Sequence, residues 1–579
     1  MKLPSQSAPL LLALLLLPAA APEDPDEGPV VKVSGGEILG RIVNQPGAQL
    51  SKYYSFEGIP YARPPLDDRR FKAPEEVESW TGVRNATAPG SRCVQKDVLF
   101  TNMTSGDEDC LFINVFTADP PESWPEVKRP VAVFVHGGAF IVGSGDLDRM
   151  RPDSILRQEV VLVSFNYRLG VLGFLNTEDK EAPGNAGLKD AVQALHWVQK
   201  NIKTFGGNPE QVTVFGESAG AAMVHYLLLT PLTKGLLHGA IAMSGDALSP
   251  WTLARRPRQN ALALRQLLAA CCPDDAPDAI ARCLRRVDAK TLVGSQSQAP
   301  PEELLHRLWR NPFLPSVEAP GASDAPFLTA DPEKLLREGH FLKVPFITGF
   351  TNAEGILYIR FAGLFSDPAQ WASVDERFVE KFRWEMPLGI QGADDINAVR
   401  AFYMGDRAIR DANEDPEALR RFLQLTTDML FATSSVSSAR LMAQAGAPVW
   451  VYEFTHENPS SLIKHFVYNA SHVPGVAHGE DLGYLFNVAS RRGDLPTRDP
   501  PAEDAVRQRL VRLFMDFAKT GNPTPMNGDQ PTLQWPPYTA DKETYMEMGT
   551  EFTIKEHVLG DRIALWRRLS SKSEATGSE

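Results

Sequence analysis

At 579 residues the chain exceeds the usual single-domain size, which leaves two domains or one large α/β unit as the expectation. Hydrophobic residues at 43% and charged residues at 23% are ordinary for a soluble globular protein with a large core. A formal net charge of −13 argues against nucleic acid as a partner, because that would call for a basic surface.

The first residues read as a targeting signal. Lys2 is the only early charge, Leu10 to Leu17 is almost purely leucine, and Ala19-Ala20-Ala21 offers a small-residue cleavage site. That apolar run is too short to span a bilayer, and no later stretch is long and apolar enough. The expected division is a signal peptide over 1–21 and one large domain over 22–579. Its end, Ser570 to Glu579, is polar and carries neither a hydrophobic tail nor a retention tetrapeptide. A secreted, extracellular protein without a stable membrane anchor is the expectation.

Five cysteines fit that compartment. Cys93 and Cys110 enclose a short polar loop, and Cys283 lies one loop beyond the adjacent pair Cys271 and Cys272. The expected disulfides are Cys93–Cys110 and Cys272–Cys283; the count alone does not choose between Cys271 and Cys272. Asn85, Asn102 and Asn469 head proline-free sequons and are expected to be glycosylated where exposed.

In chain order, Val30 to Val33 and Glu37 to Val43 flank Gly35-Gly36 and predict an N-terminal antiparallel hairpin. Phe56 to Pro65 reads as a proline-punctuated loop rather than a regular element, and Leu111 to Phe116 as a strand. Val131 to Val135 and Val160 to Phe165 are unbroken apolar runs of the kind found in strands buried on both faces. Leu188 to Lys200 carries its apolar residues at helical spacing. Ile241 to Met243, Val344 to Thr348 and Val449 to Phe454 extend the sheet, with Arg- and Leu-rich helical stretches between them, about 254–312 and 366–445. Alternating strands and helices predict one large α/β unit: a large, mostly parallel sheet flanked by helices, with helical insertions over its carboxyl edge.

The chemistry concentrates at Val212 to Gly220, where a strand-like run enters Gly216-Glu217-Ser218-Ala219-Gly220 and a helix-compatible run follows directly. Strand, sharp turn and helix are the setting in which Gly-x-Ser-x-Gly presents a reactive hydroxyl. A serine needs a base, and the base needs an acid to hold its tautomer. In the order Ser, acid, His, the candidates are Glu354, just past the strand ending at Thr348, and His478, on a long loop after Phe454. His456, His465 and His472 share that region. His136-Gly137-Gly138 follows a buried strand, and the amides of Gly137, Gly138 and Ala219 are candidate oxyanion donors.

These motifs together resemble the type-B carboxylesterase family, which includes carboxylesterases, cholinesterases and bile-salt-dependent lipases. The matching runs include Phe56 to Pro65, Glu108 to Val115, His136 to Phe140, Asn166 to Phe174, Gly184 to Asp190 and Gly216 to Gly220. Thr351 to Gly355, His478 to Phe486 and Phe517 to Pro523 continue them in family order. A metal hydrolase is not supported: His472 and His478 have a loose ligand-like spacing, but no further His or Cys cluster joins them. The resemblance implies the α/β-hydrolase fold and a small-molecule ester substrate, with no cofactor expected. It makes Ser218 the nucleophile, Glu354 the acid and His478 the base, with Gly137, Gly138 and Ala219 as oxyanion donors. It also supports the two disulfides, and it matches Ser244 to a buried serine that helps hold the acid, with a plain packing role as the equal alternative.

Departures narrow the reading. The Cys93–Cys110 loop contains no tryptophan, unlike choline-binding members, so cholinesterase activity is not expected. Asp246 stands where a small residue is usual and puts the polarity of the acyl pocket in question; Trp251 either lines that pocket or fills core. The rival from another class is a neuroligin-like extracellular adhesion module that keeps the fold without the nucleophile. A lipase acting on long-chain lipid is the rival within hydrolases, and no amphipathic lid marks one. Neither the physiological ester nor an oligomeric state is selected by the sequence.

Overall fold

The computed structural model describes residues 27–45, 50–98, 101–147, 150–271, 279–298, 311–364, 367–387, 389–390, 392–488, 500–526 and 533–576. The expected signal peptide therefore lies outside the described residues, as does Cys272.

A twisted sheet organises the molecule. Its antiparallel beginning is β1 (Glu27–Val33), β2 (Gly36–Asn44), β3 (Lys52–Pro60) and β4 (Phe112–Thr117). The parallel body consists of β5 (Arg129–Val135), β6 (Val161–Phe165), β7 (Gly207–Glu217), β8 (Gly239–Met243), β9 (Phe346–Thr351) and β10 (Val449–Phe454). A hairpin of β11 (Tyr545–Met548) and β12 (Phe552–Lys555) closes the far edge. The strand order is β1-β2-β3-β4-β6-β5-β7-β8-β9-β10-β11-β12, and neighbours from β6 to β11 run parallel. This is the predicted architecture. The apolar runs behave as expected for central strands: Val131, Val133, Val135, Val161 and Val163 are fully buried.

One expectation is corrected. Phe56 to Pro60 is not loop but the second half of β3, antiparallel to β4. The register breaks between Phe56 and Ile59, where Gly58 has φ of 71°. That bulge lets both Phe56 and Ile59 point into the core, and Pro60 ends the strand, where a missing N–H is tolerated. Burial of two large apolar side chains outweighs the local breaker signals.

Helices pack on both faces. α1 (Ala186–Asn201) leads into β7, and α2 (Ala219–Leu228) leaves it. α3 (Gly355–Phe361) follows β9. The insertion before β10 ends in α4 (Pro416–Thr427), a π-helical turn at Asp428–Ala432, and α5 (Thr433–Gln444). α6 (Pro501–Thr520) packs on the sheet, and the chain finishes in α7 (Asp561–Thr576). Among the described residues no helix is long and apolar enough to cross a membrane.

Candidate active site

At the carboxyl end of β7 the chain reverses within a single residue. Ser218 has φ of 59° and ψ of −125°, a conformation that costs an L-residue energy, and its N–H donates to Met243 O at 2.9 Å. The glycines make the bend possible. A Cβ on Gly220 would sit 2.1 Å from the carbonyl oxygen of Val135, and one on Gly216 would sit 2.6 Å from the Gly220 carbonyl carbon. β7, α2 and neighbouring β5 approach so closely that only glycine fits. Ser218 stays partly exposed while both neighbours are buried.

Glu354 caps the start of α3 just past β9 and is fully buried. Its Oε1 accepts the Ser244 hydroxyl at 2.6 Å and the Thr351 N–H at 2.7 Å. Its Oε2 lies 2.6 Å from His478 Nδ1. The two residues are 124 apart in sequence, and the sheet brings them together. Tyr468 fixes the loop behind the imidazole by donating to His478 O at 3.0 Å. The neighbouring histidines lie elsewhere: His456 pairs with Glu503 at 3.0 Å, and His465 with Ser471 at 3.1 Å.

The donor loop packs directly on the elbow. A Cβ on Gly137 would come within 2.6 Å of Glu217 O and 3.1 Å of Ser218 Cβ. Gly138, Ala139 and Phe140 all have positive φ, at 109°, 53° and 60°. The Asn311 amide holds Ala139 O at 3.1 Å, and Gly170 N–H holds Phe140 O at 2.7 Å. Among the described residues the N–H groups of Gly137, Gly138 and Ala219 have no protein acceptor. Unpaired backbone donors packed beside the Ser218 elbow are the kind of groups that can stabilise a developing negative charge. His136 stacks on Tyr167 at 4.3 Å, and burial pulls its imidazole down to about 4, so it supports the loop as a neutral ring.

Sequence reasoning missed the second carboxylate. Glu217 Oε1 lies 3.0 Å from His478 Nε2, close enough for an ion pair although its angle is not that of a hydrogen bond. His478 thus stands between Glu354 and Glu217, and no hydrogen bond joins it to Ser218 in this arrangement. Burial opposes a charged imidazole, but Glu217 and then Glu354 outweigh it and push His478 up to about 9. Burial drives Glu217 itself up to about 7 against the lowering effect of His478. Asp481, three residues past the imidazole, accepts the Tyr452 hydroxyl at 2.7 Å, and burial lifts it to about 6. The signal for Glu217 was in plain sight as the residue before the serine; only the fold turns its side chain toward His478.

The π-helical turn is the other feature missed. It lays Phe431 over the His478 ring at 4.8 Å and against Trp251 at 5.6 Å. Trp251 is buried, and its indole N–H donates to Leu430 O at 3.0 Å. Asp246 is fully buried among serine hydroxyls. The Cys93–Cys110 disulfide is formed. Cys283 is disulfide-bonded and Cys271 is an exposed free thiol, while the expected partner Cys272 lies outside the described residues. The sequon residues Asn85, Asn102 and Asn469 are exposed. Among the described residues no group of His, Cys, Asp and Glu is arranged to hold a metal ion.

With this geometry in place, comparison with known proteins gives the family. Residues 27–566 match the carboxylesterase family model. The chain belongs to the carboxylesterase family. A juvenile hormone esterase of Tribolium castaneum is 32% identical over 94% of either chain. A liver carboxylesterase of Sus scrofa is 32% identical over 98% of this chain and 97% of its own. Neuroligin-2 of Mus musculus is 31% identical, covering 93% of this chain and 67% of that protein. Membership of this carboxylesterase family brings with it the α/β-hydrolase fold seen above and a general association with ester chemistry.

Proposed function

We propose that the protein is a secreted serine carboxylesterase acting on small-molecule carboxylic esters. The observation that carries this reading is the continuous chain Ser244–Glu354–His478, assembled beside the strained Ser218. In the first step His478 takes the Ser218 proton as Oγ attacks the ester carbonyl. The resulting oxyanion is held by the amides of Gly137, Gly138 and Ala219, and the alcohol departs with the proton from His478. In the second step His478 removes a proton from water, the hydroxide adds to the acyl carbonyl, and Ser218 leaves with the proton returned to it. Before either step His478 Nε2, here 3.0 Å from Glu217 Oε1, has to engage the Ser218 hydroxyl; catalytic hydrogen bonds commonly tighten only once substrate is bound.

Ester-hydrolysing relatives support the reading: one is named for juvenile hormone, another for liver carboxylesterase activity. The similarity to neuroligin-2 carries the alternative, a binding module in which hydrolysis is incidental. A tagged organophosphate distinguishes the two. Wild-type protein is expected to be modified stoichiometrically and Ser218→Ala not at all. Unlabelled wild type, or equal labelling of Ser218→Ala, sinks the enzyme reading. Turnover of p-nitrophenyl butyrate over palmitate emulsions is expected, and strong preference for palmitate would favour a lipase.

A further inference from the structure

The segment from Ser244 to Ser249 leaves β8 and touches two members of the candidate site at once. Ser244 Oγ donates to Glu354 Oε1 at 2.6 Å, and its N–H donates to Gly349 O at 2.8 Å. Gly245 lies against the nucleophile: a Cβ there would come within 2.4 Å of the Ser218 carbonyl oxygen. Ser244 itself has φ of 55°, a conformation that persists in a serine only where its surroundings impose it.

Asp246, two residues further on, anchors the same segment. Its Oδ1 accepts the Leu248 N–H at 2.7 Å and the Ser438 hydroxyl at 3.0 Å. Its Oδ2 faces the hydroxyls of Ser249 and Ser435, each at 3.4 Å. Ser249 is bonded in turn to Ser434 at 2.9 Å, and Ala247 N–H donates to His225 Nδ1 at 3.2 Å. One carboxylate therefore pins the segment to α5, while its neighbour Ala247 pins it to α2. Among the described residues the partners of Asp246 are hydroxyls and an amide rather than a cation. A buried carboxyl held that way is costly to keep unless its hydrogen bonds do something no small residue could.

We propose that Asp246 is a positioning residue for the acid–base pair, holding Ser244 on Glu354 and Gly245 on Ser218. The proposal rests on the triad reading above. The test uses the full-length protein and p-nitrophenyl butyrate. For Asp246→Ala, kcat should fall by about 10- to 100-fold with KM within about twofold, the size of loss that a small misplacement causes. The acid limb of its pH–rate profile should also move down, because a loosened Glu354 raises the His478 pKa less. Asp246→Asn keeps the Oδ1 acceptor and should recover to within about threefold of wild type. Combined with Ser244→Ala, Asp246→Ala should add less than about twofold, since both act along one path.

Wild-type kcat and an unmoved acid limb in Asp246→Ala would overturn the proposal, as would a loss confined to KM or a fully additive double variant. Should Asp246→Ala not fold, Ser438→Ala removes a donor to the same carboxylate from α5 and is read by the same criteria. An active Ser218→Ala protein would instead defeat the triad reading. An inactive Ser218→Ala beside normal Asp246 variants would defeat the Asp246 proposal alone.

Discussion

At the scale of single residues, the decisive arrangement is one imidazole between two carboxylates. In the proposed mechanism His478 acts as base only when neutral, so its raised pKa moves the acid limb of kcat/KM upward from the ordinary imidazole value near 6.5. An unperturbed histidine would lose activity below about pH 6, whereas here the loss should begin at higher pH. Glu217 supplies the largest favourable part of that shift. Glu217→Gln should therefore lower the limb by about one pH unit or more, the usual effect of removing a close opposite charge. A kcat/KM profile from pH 5 to 10 measures this, and superimposable limbs for wild type and variant would contradict it. Below the limb the charged imidazole keeps its contact with Glu354 at 2.6 Å, so kcat/KM should fall without loss of fold.

At the scale of elements, the site depends on close approach more than on hydrogen bonds. The elbow works because β5, β7 and α2 meet where Gly216 and Gly220 lack side chains. The π-helical turn works differently. Its wider turn shifts the phase between α4 and α5 and brings Phe431 onto His478. The disulfide loop is a third device: Cys93 and Cys110 are 17 residues apart and both are buried. Closing a loop of that size stabilises by about 3 kcal/mol through the unfolded state. Replacing both cysteines by serine should lower the urea midpoint accordingly, and an unchanged midpoint would show that the bond adds no stability.

At the scale of the whole molecule, the C-terminal helix is tied to the site from outside. Arg562 on α7 donates to Asp428, including Nε to Oδ2 at 2.7 Å, and Asp428 begins the turn that carries Phe431. The Tyr403 hydroxyl also donates to Asp428, and Trp566 on α7 donates to Tyr403 Oη at 2.7 Å. Asp428 is fully buried, so removing its cation strands a charge. Arg562→Ala should cost about 3 kcal/mol in urea unfolding. Because Phe431 rides on that turn, kcat should fall as well; a destabilised variant with wild-type kcat would show that α7 supports the fold without reaching the site.

The sequence by itself determined the features that are local or periodic. Gly216 to Gly220 and His136 to Gly138 were legible because each motif is written in a few adjacent residues. The parallel strands were legible because a strand buried on both faces has to be apolar throughout, as Val131 to Val135 is. Glu354 and His478 were found by chain order, and what joined them was the neighbouring of β9 and β10. Tertiary structure alone decided the rest. It turned Phe56 to Pro60 into strand because core burial outweighed a proline, and it set Asp246 among the hydroxyls of Ser249 and of Ser435 and Ser438 on α5. It also placed Glu217 on His478, a contact between strand end and distant loop that no spacing in the chain announces. Long-range electrostatics arises only where the fold brings charges together, and that is why the family was readable from the chain while the electrostatic setting of His478 was not.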